Sequence, residues 1–87
     1  MTGNDPFLAI ADGNRRALLE MLRDGPRSVG DLARDLPVSR PAVSQHLRVL
    51  LDAGLVSVEA AGTRRLYRAG GPGLTRLNLW VDQFWAD

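Results

Sequence analysis

Polar and basic side chains crowd into ten residues near the middle of the chain, and their types are those that hydrogen-bond to nucleic acid. They are Ser39, Arg40, Ser44, Gln45 and Arg48. A glutamine can form two hydrogen bonds with adenine, and an arginine can pair with guanine or with a phosphate. Serine hydroxyls close to a helix N-terminus suit phosphates, because backbone amides also point outward there. This chemistry requires that the side chains share one accessible face.

Helical spacing predicts such a face. At about 100° per residue, one arc of a helix is apolar and holds Val43, Leu47, Leu50 and Leu51. The opposite side holds Pro41, Gln45, Arg48 and Asp52, with Ser44 beside them. We call this segment, predicted over about residues 39–53, the reader helix, since it could lie in a DNA major groove. An ordinary amphipathic surface helix is the alternative, because a polar outer side is the rule for such helices.

The residues of most catalytic and metal sites are missing. The chain has no cysteine and a single histidine, His46. Ser44 and His46 are two residues apart on the predicted helix and do not face each other, and there is no glycine-rich phosphate loop. Asp31 and Asp35 are spaced as neighbours on a helix, but without cysteine or histidine nearby they indicate a solvated face. The sequence therefore predicts no enzyme, no metal site and no cofactor.

Capping residues predict four helices in the first part of the chain. Each capping residue precedes an apolar pattern of helical period, and the four are Asp5, Asp12, Ser28 and Ser39. The third predicted helix runs from Val29 to Leu36, and Pro37 ends it. The tight connection to the reader helix is typical of a helix-turn-helix, in which the second helix enters the groove.

A basic β-hairpin is predicted after the reader helix, over about residues 55–69, and we call it the wing. Val56 and Val58 alternate with polar residues, and the returning strand carries Arg64 and Arg65 next to the turn. Residues 37–68 hold five arginines and two acidic residues, although the whole chain has a net charge of only +1. Arg64 and Arg65 could reach phosphates or a minor groove. The alternative is a charged strand edge that discourages aggregation.

A final helix is predicted over about residues 74–86, after the linker Gly70–Gly73. Its apolar residues fall at heptad-like spacing with two tryptophans alongside, and they are Leu74, Leu77, Trp80, Val81, Phe84 and Trp85. The 87 residues are expected to form one domain, residues 1–87, and a domain this small buries only about 60% of its unfolded surface. An aromatic cluster on its terminal helix is therefore more often an interface than an interior, with core packing as the alternative.

Nothing in the sequence indicates a membrane segment or a secretion signal. No stretch approaches the roughly 20 apolar residues of a membrane span. The N-terminal residues also lack the basic start and apolar core of a signal peptide. A cytoplasmic protein without a membrane partner is expected.

Four segments resemble the ArsR family of bacterial winged-helix repressors. They are residues 9–22, 28–33, 38–47 and 62–68, and the third is the most specific, because it joins Ser39, Pro41 and the run Ser44–Leu47 in a fixed register. The resemblance implies an α+β, mostly α, winged helix-turn-helix fold in the order α-α-α-α-β-β-α. It further implies a homodimer, joined through its first and last helices, that binds palindromic operator DNA. We expect an autorepressor that occludes a promoter.

The residues and the resemblance together give two sets of candidate site residues. The set expected to contact DNA is Ser39, Arg40, Pro41, Ser44, Gln45, His46, Arg48, Arg64 and Arg65. The set expected to contact the partner subunit is Phe7, Leu8, Leu77, Trp80, Val81, Phe84 and Trp85. For His46, a half-buried packing role is the alternative.

Two further expectations concern function. Founding members of the family sense metals through cysteines or through histidine and aspartate pairs, and neither set is present here, so any inducer is not expected to be a soft metal. The competing function is a winged-helix module that binds protein and not DNA. The modest net charge and the aromatic residues of the last helix motivate that alternative.

Overall fold

The computed structural model describes residues 5–85, which form five helices and one two-stranded hairpin. In chain order these are α1 (Pro6–Ala9), α2 (Gly13–Leu22), α3 (Val29–Arg34), α4 (Arg40–Asp52), β1 (Val56–Ala61), β2 (Arg64–Ala69) and α5 (Pro72–Asp82). The predicted element order is confirmed. Residue 86, the predicted end of the last helix, lies outside the described residues, as do residues 1–4.

Each of the first four helices begins directly after its predicted capping residue. The side chain of each cap accepts a hydrogen bond from a backbone N–H in the first helical turn, and the caps are Asp5, Asp12, Ser28 and Ser39. At α4, for example, the Ser39 hydroxyl accepts from the N–H of Ala42 at 3.2 Å. Such caps typically contribute about 1 kcal/mol each, because they satisfy donors that have no partner within the helix.

The core lies where α2, α3 and α4 pack against one another and against the base of the hairpin. Its fully buried side chains are Leu18, Leu32, Val43, Leu47, Leu50 and Leu55. Tyr67 of β2 is also buried, and its backbone exchanges two hydrogen bonds with Arg27, of 3.0 and 2.8 Å. The apolar arc of α4 therefore faces the core, which fixes the outward direction of its polar side.

The wing leaves the core as an antiparallel pair. Val56 lies opposite Ala69 at its base, and Ala61 lies opposite Arg64 at its tip. The turn between the strands contains Gly62 at a φ of 66°, a left-handed conformation that suits glycine. Residues 59–65 are exposed, so the tip of the wing stands in solvent.

The short helix α1 is attached to α2 through two arginines. Arg15 Nε donates to the carbonyl oxygen of Ala9 at 2.6 Å, and Arg16 Nη1 donates to that of Ile10 at 2.7 Å. Carbonyls at a helix C-terminus have no partner within the helix, so these side chains satisfy groups that the four-residue helix leaves open. The placement of α1 therefore follows that of α2.

Glycines allow the start of α5 to cross the end of α4 at backbone contact distance. Gly54 ends α4 with a φ of 73°, and the N–H of Gly73 donates to its carbonyl oxygen at 2.9 Å. The N–H of Gly70 also donates to the carbonyl oxygen of Leu55, at 3.0 Å. A Cβ at Gly73 would collide with the carbonyl oxygen of Ala53. The glycine linker is therefore bonded to the core at both of its ends.

The bounds of α4 and the wing lie within one residue of the expected ones. The prediction that α3 reaches Leu36 is wrong: α3 ends at Arg34, since the residue before Pro37 disfavours the helical conformation. The prediction for the last helix is also wrong. That helix begins at Pro72 instead of about residue 74, and it ends at Asp82, with turns at residues 83–85. Pro72 can start the helix because a proline in the first turn gives up an N–H that has no helical partner. The heptad-like apolar pattern continues past Asp82 although the helix does not.

Candidate nucleic-acid interface

The outward side of α4 carries most of the side chains predicted to contact DNA. Its exposed members, together with the capping serine, are Ser39, Arg40, Pro41, Ser44, Gln45 and Arg48. Val43 and Leu47, which alternate with them in sequence, are fully buried. Rotating the helix about its axis would expose these core residues, so packing holds the polar side in one orientation.

The polar side chains of α4 differ in how far they are already engaged. Within residues 5–85 the structure records no hydrogen bond to the side chains of Ser44 or Gln45, which leaves their donors and acceptors accessible. Arg48 Nε lies 3.3 Å from Asp52 Oδ1, and both side chains are exposed. An exposed pair at this helical spacing is worth only about 0.3–0.5 kcal/mol. Arg48 can therefore leave Asp52 for a DNA group at little cost.

His46 is partly buried and differs from its exposed neighbours on α4. It lies near Asp12, the capping residue of α2, whose carboxyl has a lowered pKa. The largest cause of the lowered pKa is the hydrogen bond from the backbone N–H of Arg15, which outweighs an opposing effect of desolvation. His46 therefore lies on the side of α4 that faces the N-terminus of α2.

The two arginines predicted at the wing tip have different surroundings. Arg65 is exposed. Arg64 has a side chain that is 57% exposed, and its Nη2 donates to Asp31 Oδ2 at 2.8 Å and to Ser28 Oγ at 3.1 Å. Arg64 therefore joins the wing to the first turn of α3.

A cleft of about 330 Å³ opens between the N-terminal part of α4 and the wing tip. Its lining residues are Ser28, Val29, Arg40, Thr63, Arg64 and Arg65. Arg40 reaches it by lying across the first turn of α3, where a Cβ added to Gly30 would be 3.5 Å from Arg40 Nη2. The cleft thus brings together three arginines from two separate elements. Gln45 and Arg48 lie outside its lining.

The carboxylate of Asp31 supports this cleft, and sequence analysis did not assign it to the site. Its Oδ1 accepts from Arg34 Nη2 at 2.5 Å, while Oδ2 accepts from Arg64. Desolvation raises the pKa of Asp31, but the hydrogen bonds of Ser28 and the charges of Arg64 and Arg34 outweigh it, so the pKa is lowered. The sequence indicated Ser28 and Asp31 as a helix start, and nothing in it indicated a link to Arg64.

A second exposed surface, apolar instead of basic, lies on α1, α5 and the turns that follow α5. Its most exposed large side chains are Leu8, Leu79, Trp80, Phe84 and Trp85. Trp80 packs edge-to-face between Phe7 and Phe84, with ring centroids 5.5 and 4.8 Å apart. Despite these contacts Trp80 remains 49% exposed, and Leu77 is the predicted interface residue that packs against the core.

Two other kinds of site are absent from the described part of the chain. Between residues 5 and 85, no three histidine or acidic side chains come together as metal ligands would. None of the helices in that range combines the length and the apolarity needed to cross a bilayer.

Comparison with known proteins identifies the family. Residues 12–58 match the model of the family described as "Bacterial regulatory protein, arsR family", which is more than half of the chain. The chain belongs to this arsR family of transcriptional regulators. Its fold is accordingly the DNA-binding winged helix-turn-helix, with α3 and α4 as the helix-turn-helix and β1 and β2 as the wing.

A curated relative and two solved structures support the assignment. Over 77 residues, 88% of this chain and 72% of the relative, the sequence is 60% identical to the HTH-type transcriptional regulator Rv2034 of Mycobacterium tuberculosis. A crystal structure described as a possible transcriptional regulator for arsenical resistance matches with a TM-score of 0.83 and 43% identity, over 95% of this chain and 86% of that one.

The second structure is the solution structure of the homodimeric winged helix-turn-helix DNA-binding domain of Mb0332 from Mycobacterium bovis. It matches with a TM-score of 0.76 and 31% identity, over 92% of this chain and 74% of that one. Several other curated relatives are longer, and the chain spans about half to two thirds of their length. The predicted family and fold are confirmed by these matches.

Proposed function

We propose that this protein is a homodimeric repressor that binds palindromic operator DNA through α4 and the wing. The observation that carries the proposal is the exposed polar side of α4 lying next to a cleft lined by Arg40, Arg64 and Arg65. A helix of this kind fits a major groove, and arginines at its start and on a wing can meet the phosphates that flank the groove.

Within the proposed complex, side chains divide between bases and backbone. Gln45, Ser44 and Arg48 read base edges, because they lie on the outward side of α4 with hydrogen-bonding groups that are unused or easily released. The groups assigned to the backbone are Ser39, Arg40, Pro41, His46, Arg64 and Arg65. His46 is in this second set because it lies on the flank of α4 and not at its outward centre.

The partner in the proposed dimer is a second copy of the chain, joined through α1 and α5. The apolar surface there includes Trp80, Phe84 and Trp85, which are 49%, 63% and 79% exposed. Contiguous exposed apolar surface rimmed by polar residues is typical of protein interfaces. Phe7, Leu8, Leu77 and Val81 complete the proposed interface. The homodimeric state of the Mb0332 domain supports this assignment.

In this proposal, repression results from occupancy of the operator by the dimer. A dimer with two α4 helices covers two successive major grooves, about 34 Å apart, and excludes polymerase from a promoter that overlaps the same DNA. We place the first such operator upstream of the protein's own gene, so that the protein limits its own synthesis until a signal lowers its affinity.

The proposal is tested by titrating the protein into fluorescent DNA from upstream of its own gene while anisotropy is followed at several salt concentrations. A scrambled duplex of equal length is the control. We expect tight binding to the upstream DNA, weaker binding to the control, and affinity that falls steeply with salt, because arginine–phosphate contacts release counterions.

Two results would contradict the proposal in different ways. Equal, weak binding to both duplexes would show that the operator does not lie upstream of the protein's own gene. Absence of binding to either duplex would favour the protein-interaction module, for which the apolar surface of α1 and α5 would be the docking site.

A further inference from the structure

Arg64 is held through one nitrogen atom, Nη2, of its guanidinium group. Its Nη2 donates to Asp31 Oδ2 at 2.8 Å and to Ser28 Oγ at 3.1 Å. These two acceptors precede Arg64 in the sequence by 33 and 36 positions, respectively. Ser28 also caps α3 through the N–H of Asp31, at 3.2 Å. The anchor for Arg64 is therefore part of the capped first turn of α3 and does not belong to the exposed wing.

Other donors of the same guanidinium group remain available. An arginine has five N–H donors, and two bonds from Nη2 leave those on Nε and Nη1. Within residues 5–85 the structure records no hydrogen bond from either of these atoms. Because Arg64 lines the cleft together with Arg40 and Arg65, three cationic groups surround a space of about 330 Å³. A phosphate is the DNA group that such a set of donors recognises.

We propose that Asp31, assisted by Ser28, is a positioning residue for DNA binding, which holds Arg64 so that a single DNA phosphate binds in the cleft between Arg40, Arg64 and Arg65. This inference rests on the proposed DNA-binding function. It adds a binding site for one particular phosphate and a role for an acidic residue that does not itself touch DNA.

The charge balance around Asp31 permits this role. Its carboxylate pairs with Arg34 through Oδ1 and with Arg64 through Oδ2, so the three groups together keep a net positive charge. A long side chain that is restrained before binding loses less conformational freedom when it binds. Asp31 therefore reduces the entropic cost of placing Arg64 on the phosphate, while the cleft as a whole stays cationic.

The test compares two substitutions of Asp31 in operator binding, followed by anisotropy. Asp31→Asn keeps an oxygen that can accept from Arg64 but removes the negative charge, so it is expected to bind at least as tightly as wild type. Asp31→Ala removes the acceptor as well, and is expected to bind about three- to ten-fold more weakly than Asp31→Asn, with a shallower salt dependence. In an Arg64→Ala background the difference between the two substitutions should vanish.

A matched control is provided by Glu59, which pairs with Arg68 at 3.1 Å on the wing but does not line the cleft. Glu59→Gln and Glu59→Ala should bind the operator equally. Circular dichroism and urea unfolding establish that each variant is folded. If Asp31→Ala fails to fold, Arg64→Lys is the second variant. It keeps the charge and loses the donors on Nε and Nη1, and a three- to ten-fold weaker affinity is expected.

The possible outcomes separate this inference from the proposed function. If wild type binds the operator and Asp31→Ala binds as tightly as Asp31→Asn, Asp31 is merely an opposing charge and the inference is wrong. Arg64→Lys binding at wild-type affinity would overturn it as well. If wild type does not bind DNA, both the proposed function and the inference fail.

Discussion

The two exposed surfaces of this small domain are built in opposite ways. The α4 and wing surface presents polar groups that are directed by a buried apolar arc, and one of its arginines, Arg64, pairs with Asp31 of α3. The α1 and α5 surface presents apolar rings in solvent, and its aromatic residues pack mainly on one another. A backbone junction at Gly54 and Gly73 connects the two.

This difference shows what each surface can recognise. Directed hydrogen-bonding groups distinguish among ligands by geometry, whereas exposed apolar area gains free energy from any surface of matching shape. The first surface is therefore suited to a partner with a defined arrangement of hydrogen-bonding groups, such as base edges. The second is suited to a partner with a complementary apolar surface, such as another copy of this chain. A substitution on one surface should therefore weaken binding to its own partner without affecting the other surface.

The largest effect is expected for Trp80→Ala on the apolar surface. In a two-fold dimer each substitution counts twice, so the loss should be about 4 kcal/mol, roughly a thousand-fold in the dissociation constant of the dimer. Sedimentation equilibrium measures it. Asn78→Ala is the control, because Asn78 is a polar, exposed residue of the same helix that lies about 160° around its axis from Trp80. Equal dissociation of both variants would contradict the proposed interface.

The next largest effect is expected for a substitution at the backbone junction between the two surfaces. Gly73→Ala places a Cβ against the carbonyl oxygen of Ala53, and we expect a loss of about 2–3 kcal/mol in the free energy of unfolding, as overpacking typically causes. Gly13→Ala is the matched control: it lies at the start of α2, where a Cβ would meet only the end of the Arg16 side chain at 3.7 Å. Urea unfolding followed by circular dichroism should show no loss of stability for that variant.

Specificity on the polar surface should depend on Gln45. Gln45→Ala is expected to cost about 1–3 kcal/mol of operator affinity at one base position, because two hydrogen bonds to an adenine are lost there. Competition with operators substituted at single positions would locate that base pair. Gln83→Ala, which changes an exposed glutamine just after α5, serves as the control. If Gln45→Ala lost the same affinity on operator and on random DNA, Gln45 would not recognise a base.

Arg65→Ala should weaken binding without changing which sequence is preferred. Removing one phosphate contact is expected to reduce the slope of log affinity against log salt by about one unit, on operator and random DNA alike. Titrations at four salt concentrations measure the slope. A selective loss on the operator would instead assign Arg65 to base or groove-shape recognition.

The smallest effect concerns stability in acid. The pKa of Asp12 is lowered in the folded protein, chiefly by the hydrogen bond from the backbone N–H of Arg15. A group with a lowered folded-state pKa stabilises the fold above its unfolded value of 3.8, and this contribution is lost as the pH falls through the folded pKa. Urea midpoints between pH 6 and pH 3 should therefore fall less steeply for Asp12→Asn than for wild type. Identical slopes would contradict this role of Asp12.

The sequence predicted the features that depend on local chemistry. The capping residues located the start of each of the first four helices, because a cap acts on amides within one turn of itself. The apolar arc of α4 likewise determined which residues face outward. By contrast, the pairing of Asp31 with Arg64 depends on how the hairpin folds back over α3, which residue spacing does not reveal.

The end of the last helix could not be read from its apolar pattern. Leu77, Val81 and Phe84 keep a helical spacing, yet α5 ends at Asp82. Exposed apolar side chains gain little from helical order in a single subunit, since helices are stabilised mainly by packing against other elements. Which candidate residues contact DNA, and which contact a partner, stays a prediction.

The hydrogen bond between Gly73 and Gly54 also has a geometric consequence. In a two-fold dimer formed through α5, this junction would connect the dimer interface to each α4. The two backbones are in direct contact there, with no side chain between them. Side-chain repacking at this junction could not move α4 relative to α5. The link between the interface and each α4 would then be a property of the main chain, and a base pair inserted between the two half-sites should weaken operator binding.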